Sequence, residues 1–157
     1  RHRKIIMAQE MLKNEALLHL VWCVAKADEL LHSSEVFSSE VSNDEYEYFN
    51  KIAKAENIEI VFADFIDKRI ELIGKDGYDS IFEEALKATN KCGREWRAKA
   101  YGYMWRMALK TWEDGDYFND GSHKKTSKNE YALIKKAKEY FKITDDEDSN
   151  AIKLTKV

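Results

Sequence analysis

The chain contains no proline and only six glycines in 157 residues. These two residue types stop helices and shape tight turns, so their scarcity leaves long stretches able to run as helix. Apolar residues recur at spacings of three and four rather than two, which is the periodicity of one helical face. The fold class expected is therefore all-α: a single compact helical domain of about six or more helices over 1–143. An acidic tail over 144–157 is expected to fray, although Thr144 and Glu147 have the spacing to cap a short last helix.

A chain of this length buries close to 70% of its unfolded surface without a covalent staple. Cys23 and Cys92, its two cysteines, lie far apart and outside any C-x-x-C pair. Neither a disulfide framework nor a cysteine zinc knuckle fits, and a reduced, cytoplasmic compartment is expected. The chain opens on Arg1 without an initiator Met, as a piece of a longer protein would. Its 26 basic and 29 acidic residues give a formal charge of −3. A dedicated nucleic-acid binder carries the opposite imbalance, so no nucleic-acid partner is expected. The longest apolar run, 16–25 interrupted by His19, is about half of the ~20 residues a bilayer span needs. No direct membrane span is expected.

The run over 16–25 is apolar on nearly all sides, which predicts a central helix within a longer one over 5–31. Ser42-Asn43-Asp44-Glu45 has the capping-box spacing and predicts a helix to residue 56. Ile58, Val61, Phe62, Phe65, Ile66, Leu72 and Ile73 form the next stripe, ended by Gly74 and Gly77. Two more helices are predicted over 78–90 and 94–111. Ser127-Lys128-Asn129-Glu130, a second capping box, opens a helix through Phe141.

The two boxes belong to a longer repeat. Ser42, Glu45, Tyr46, Lys51 and Ile58 correspond to Ser127, Glu130, Tyr131, Lys136 and Ile143 at one constant offset of 85. Upstream, Trp22 and Ala25 correspond to Trp105 and Ala108 at an offset of 83. Such co-linear matches predict two related halves, about 8–58 and 94–143.

Chemistry concentrates between the two members of the second half. Glu113, Asp114, Asp116, Asn119 and Asp120 crowd oxygen donors between glycines, as hard divalent cations require, and Glu130 follows in the first helical turn. The order is not that of an EF-hand, since counting from Asp114 the sixth position is Asn119 and the twelfth Lys125. The same residue types also build ordinary turns, so a solvated loop is the alternative. In the first half Asp28, Glu29, Glu35, Glu40, Asp44 and Glu45 are more dispersed and lack glycine.

Glu29-Leu30-Leu31-His32 supplies one Glu-x-x-His where a di-iron bundle uses two. His19, within the apolar run, reads as a hydrogen-bonded core histidine. The cations and aromatics of 94–106 read as one amphipathic helix, with Trp96, Tyr103, Met104 and Met107 on its core stripe. No nucleophile elbow or phosphate-binding glycine loop occurs, so no catalytic residue is assigned and the chain is not expected to be an enzyme.

Taken together, the halves resemble the TerB-like family, named for a tellurite-resistance protein. The matching stretches run from Val24-Ala25-Lys26-Ala27-Asp28 through Glu45 to Ile58, and from Trp105-Arg106-Met107-Ala108-Leu109 through Asp114-Gly115-Asp116 and Glu130 to Ile143. The resemblance implies an all-helical, two-half module that binds a divalent metal ion (Ca, Mg, Mn or Zn) through acidic side chains. Carried across, the ligands would be Asp28 and Glu45 in the first half and Asp114, Asp116 and Glu130 in the second. It also implies protein partners in a stress-response assembly, in some members at the inner face of a membrane. The chain departs from the family in having Asp28-Glu29 where Asp-Gly is usual, and in its longer loops. The alternative is a helical protein–protein interaction module without a metal, using loop aromatics such as Trp112, Tyr117 and Phe118.

Overall fold

The computed structural model describes residues 11–27, 43–109 and 126–155. Among them are eight helices and no strand, the all-α fold expected. They are α1 (Lys13–Ala25), α2 (Asn43–Ala55), α3 (Phe62–Asp76), α4 (Tyr78–Asn90), α5 (Arg94–Leu109), α6 (Lys128–Phe141), α7 (Asp145–Ser149) and α8 (Ala151–Leu154).

Helix α1 is the centre. Every residue from Ala16 to Val24 is buried, and the helix packs against α2, α4, α5 and α6. It is shorter than the sequence predicts: Met11 and Leu12 lie outside it, and the Glu15 carboxylate accepts from the Leu12 backbone N–H at 3.4 Å to begin the first turn. Removing a side chain such as that of Leu17 would leave a cavity and cost ~2–5 kcal/mol. Trp22 meets Phe49 and Phe62 edge-on, each at 5.2 Å between ring centroids, tying α1 to α2 and α3.

Helix α5 is the second centre, buried at Ala98 and from Ala100 to Ala108. Helices α2 and α6 each pack on both α1 and α5. They also end alike. Asn57 after α2 and Lys142 after α6 both take left-handed backbone, at φ 56° and 55°. The N–H groups of Ile58 and Ile143 then donate back to Ala53 O (2.8 Å) and Lys138 O (3.0 Å), which satisfies carbonyls at each helix end. Between α3 and α4 the chain turns on Gly77 alone, at φ 85°, where a side chain would be strained.

Residues 144–155 are not the frayed tail expected. Thr144 Oγ1 accepts from Glu147 N–H at 3.1 Å and Glu147 returns the bond to Thr144 N–H at 2.9 Å, capping α7. The four acids Asp145 to Asp148 sit in that helix's first turn, where the helix dipole favours negative charge. Ala151, Ile152 and Thr155 are buried against α5. Gly102 permits that contact. A Cβ there would stand 2.8 Å from Thr155 Cγ2 and nearer still to the Ala151 carbonyl oxygen. Arg106 completes it, donating from Nε to Thr155 Oγ1 and from Nη2 to Ile152 O at 2.8 Å, so a buried cation meets the carboxyl end of α8.

Candidate functional site

Of the five carboxylates expected to ligate a metal, the structure describes two. Asp28, Asp114 and Asp116 lie outside the described residues, as do Glu29, His32, Trp112, Tyr117 and Phe118. Glu45 and Glu130 each occupy the third position of their helix, α2 and α6. The structure thus gives them equivalent places, and it surrounds them differently.

Glu45 Oε1 accepts from Lys26 Nζ at 3.1 Å, with the lysine side chain 7% exposed and the glutamate 14%. Lys26 caps the end of α1 and its ammonium also stands 5.4 Å from the Trp22 ring. An ammonium already neutralises this carboxylate, where ligation would need a metal ion to do so. Glu130 is buried and works as a cap: Ser127 Oγ accepts from Glu130 N–H at 3.1 Å, while Glu130 Oε1 accepts from Ser127 N–H at 2.9 Å. By the offset of 83, the position matching Lys26 is Leu109, which carries no charge. Among the described residues no three His, Cys, Asp or Glu side chains gather into a metal-binding group.

The titratable groups most displaced from their ordinary behaviour are committed to packing. His19 sits in the middle of α1, its Nδ1 2.9 Å from Arg69 Nη1. A guanidinium only donates, so Nδ1 accepts and the proton resides on Nε2. Burial first, then the charges of Arg69 and Lys68, lowers the imidazole's pKa to about 3. Arg69 also donates to Cys23 Sγ at 3.2 Å, one turn further along α1, and lies over the Tyr78 ring at 5.3 Å. Histidine, cysteine and arginine thus form one buried knot holding α3 to α1.

Tyr101 and Tyr103 point different ways from α5. The Tyr101 hydroxyl donates to Asp148 Oδ1 at 2.5 Å and the Tyr103 hydroxyl to Glu56 Oε2. Burial, followed by these carboxylate bonds, pushes both phenols far above their usual range, so both remain protonated donors. Glu56 also receives Lys99 Nζ at 2.9 Å.

Two features here carried almost no signal in the sequence. The Lys26–Glu45 pair joins residues on either side of a long connection, and its only signal was the lysine in a family-like stretch where the second half has leucine. The other is a set of three lysines, Lys135 and Lys138 on α6 and Lys142 just after it, that line one cavity. Comparison of the chain with protein-family models, curated proteins and solved structures finds no match in any of the three.

Proposed function

We propose that the chain is a non-catalytic, duplicated helical module that binds one divalent cation, in its second half. The carrying observation is that Lys26 already pairs with Glu45, which leaves the acidic stretch of the second half, 113–120 with Glu130, as the place for an ion. Glu45 is neutralised by Lys26, whereas the residue matching Lys26 in the second half is Leu109. Glu130, with Asp114 and Asp116 from the preceding stretch, would hold the ion, and its capping bond through Oε1 would orient the carboxylate. Asp28 and Glu45 would not form a second site. Oxygen donors of this kind favour Ca²⁺, Mg²⁺ or Mn²⁺ over Zn²⁺.

The duplication is supported by the matching helix ends at Asn57 and Lys142, and by the reciprocal packing of α2 and α6 on α1 and α5. The module's place in a cytoplasmic stress-response, tellurite-resistance-like assembly rests on the TerB-like resemblance alone. No described helix is long and apolar enough to cross a membrane. A second reading, a metal-free protein-interaction module, is favoured by Tyr46 and Tyr131, which stand 43% and 39% exposed at equivalent positions.

Calorimetric titration of chelator-stripped protein separates these readings. One saturable site that disappears in Asp114→Asn with Asp116→Asn supports the cation module. Absence of binding by Ca²⁺, Mg²⁺ and Mn²⁺ favours the interaction module.

A further inference from the structure

Helices α5, α6 and α7 wall a cavity of about 510 Å³, within the size range of small-ligand sites. Tyr131, Lys135 and Lys138 line it at spacings of four and three on one face of α6, and Lys142, which follows the helix in left-handed backbone, lines it as well. Tyr101 and Trp105 of α5 make the back wall.

The first half offers a built-in comparison. A groove along α2 is lined by Tyr46, Asn50, Ala53 and Ile58, which match Tyr131, Lys135, Lys138 and Ile143 at the offset of 85, and by Lys51 and Lys54, which match Lys136 and Glu139. Asn57 matches Lys142. The aromatic residue is thus kept, while Asn, Ala and Asn stand where the second half has three lysines. Helix formation does not require those lysines, because α2 forms without them. Lys142 moreover holds left-handed backbone at φ 55°, a conformation that asparagine takes readily and lysine rarely.

Lys138 is partly engaged, 3.4 Å from Asp148 Oδ2, and Asp148 is in turn held by the Tyr101 hydroxyl. Lys135 and Lys142 are exposed and make no ion pair with any described residue. Glu139 is the other acid on the lining. We infer that this cavity binds a small polyanion of the phosphate class, a chain of two or three phosphates lying along Lys135, Lys138 and Lys142. A long nucleic acid is disfavoured by the chain's net charge of −3, which a compact ligand among these lysines largely escapes. The phosphate chain has two sources: free oligophosphate, or a nucleotide whose base would lie on the exposed Tyr131 ring.

The test titrates the whole chain with tripolyphosphate, ATP and inorganic phosphate. EDTA is present throughout, so that the outcome is independent of the cation site. Saturable binding of tripolyphosphate or ATP is expected, weakened at least about tenfold in Lys135→Gln with Lys142→Asn and tightened in Glu139→Gln. The double variant places asparagine in the left-handed position and changes only exposed side chains, and a thermal melt verifies its fold. Equal affinity for ATP and tripolyphosphate assigns the phosphate chain alone. Tighter ATP binding that Tyr131→Ala brings down to the tripolyphosphate level assigns a nucleotide. Failure of both to bind at millimolar concentration, or binding indifferent to the lysine substitutions, overturns the inference.

Discussion

Lys26 and Glu45 form an ion pair at 3.1 Å with both side chains largely withdrawn from water. The pair joins the end of α1 to the first turn of α2 across a connection of which residues 28–42 lie outside the described structure. Withdrawing one partner leaves the other charge partly buried and unbalanced, which is costlier than losing both. Lys26→Met is therefore expected to destabilise the fold by ~2 kcal/mol. Lys26→Met with Glu45→Gln should recover most of that loss in a denaturant melt. A double variant no more stable than Lys26→Met would show that the lysine acts through packing on Trp22 instead.

The carboxyl-terminal helices should depend on one missing methyl group. Gly102→Ala drives a Cβ into the Ala151 carbonyl and Thr155, so α8 must shift or detach. Overpacking of this kind costs ~1–3 kcal/mol. A lower melting temperature is expected, with hydrogen exchange accelerated over 145–155 first. Uniform acceleration across α1 and α5 would contradict a local role.

His19 gives the stability a pH dependence whose sign is fixed by its depressed pKa. The folded imidazole stays neutral down to about 3, whereas the unfolded one gains a proton near 6.5. Between those values the unfolded state binds more protons. Stability from this group is therefore complete above about pH 6.5 and declines as the pH falls towards 3, by at most ~1.4 kcal/mol per unit. His19→Gln should flatten the stability profile in that window relative to the parent chain. An unchanged slope between pH 4 and 6 would remove His19 as its source.

Capping contributes to stability locally. Ser127→Ala removes the acceptor for Glu130 N–H and is expected to cost ~1 kcal/mol. Ser127→Asp should retain most of the stability, since its carboxylate can accept the same bond. If Ser127→Ala melts like the parent chain, the box does not fix the start of α6.

Much of the fold could be read from local pattern because local pattern determines it. The helix over 78–90 was legible to the residue, with Gly77 before it and Gly93 after the next turn. The box at Ser127 marked the start of α6 for the same reason. The tail was misread because its stability is not local: four consecutive acids look solvated until Gly102 and Arg106, some fifty residues earlier, provide the surface for α8. The candidate site was less legible. Sequence spacing placed Glu45 and Glu130 at equivalent helix positions, yet it could not show that Lys26 reaches Glu45, because that contact depends on how α1 and α2 cross. Lys135, Lys138 and Lys142 carried no motif, and only the cavity shows that they face one space.

On the proposed function, the first half has a lysine in place of its cation and the second half keeps the cation. The number of divalent sites is read by calorimetry in the parent chain and in Lys26→Met. One site is expected in the parent chain, abolished by Asp114→Asn with Asp116→Asn, and a second, weaker site in Lys26→Met, where Glu45 is released. Two sites in the parent chain, or a single site that survives loss of both aspartates, would contradict the proposed function.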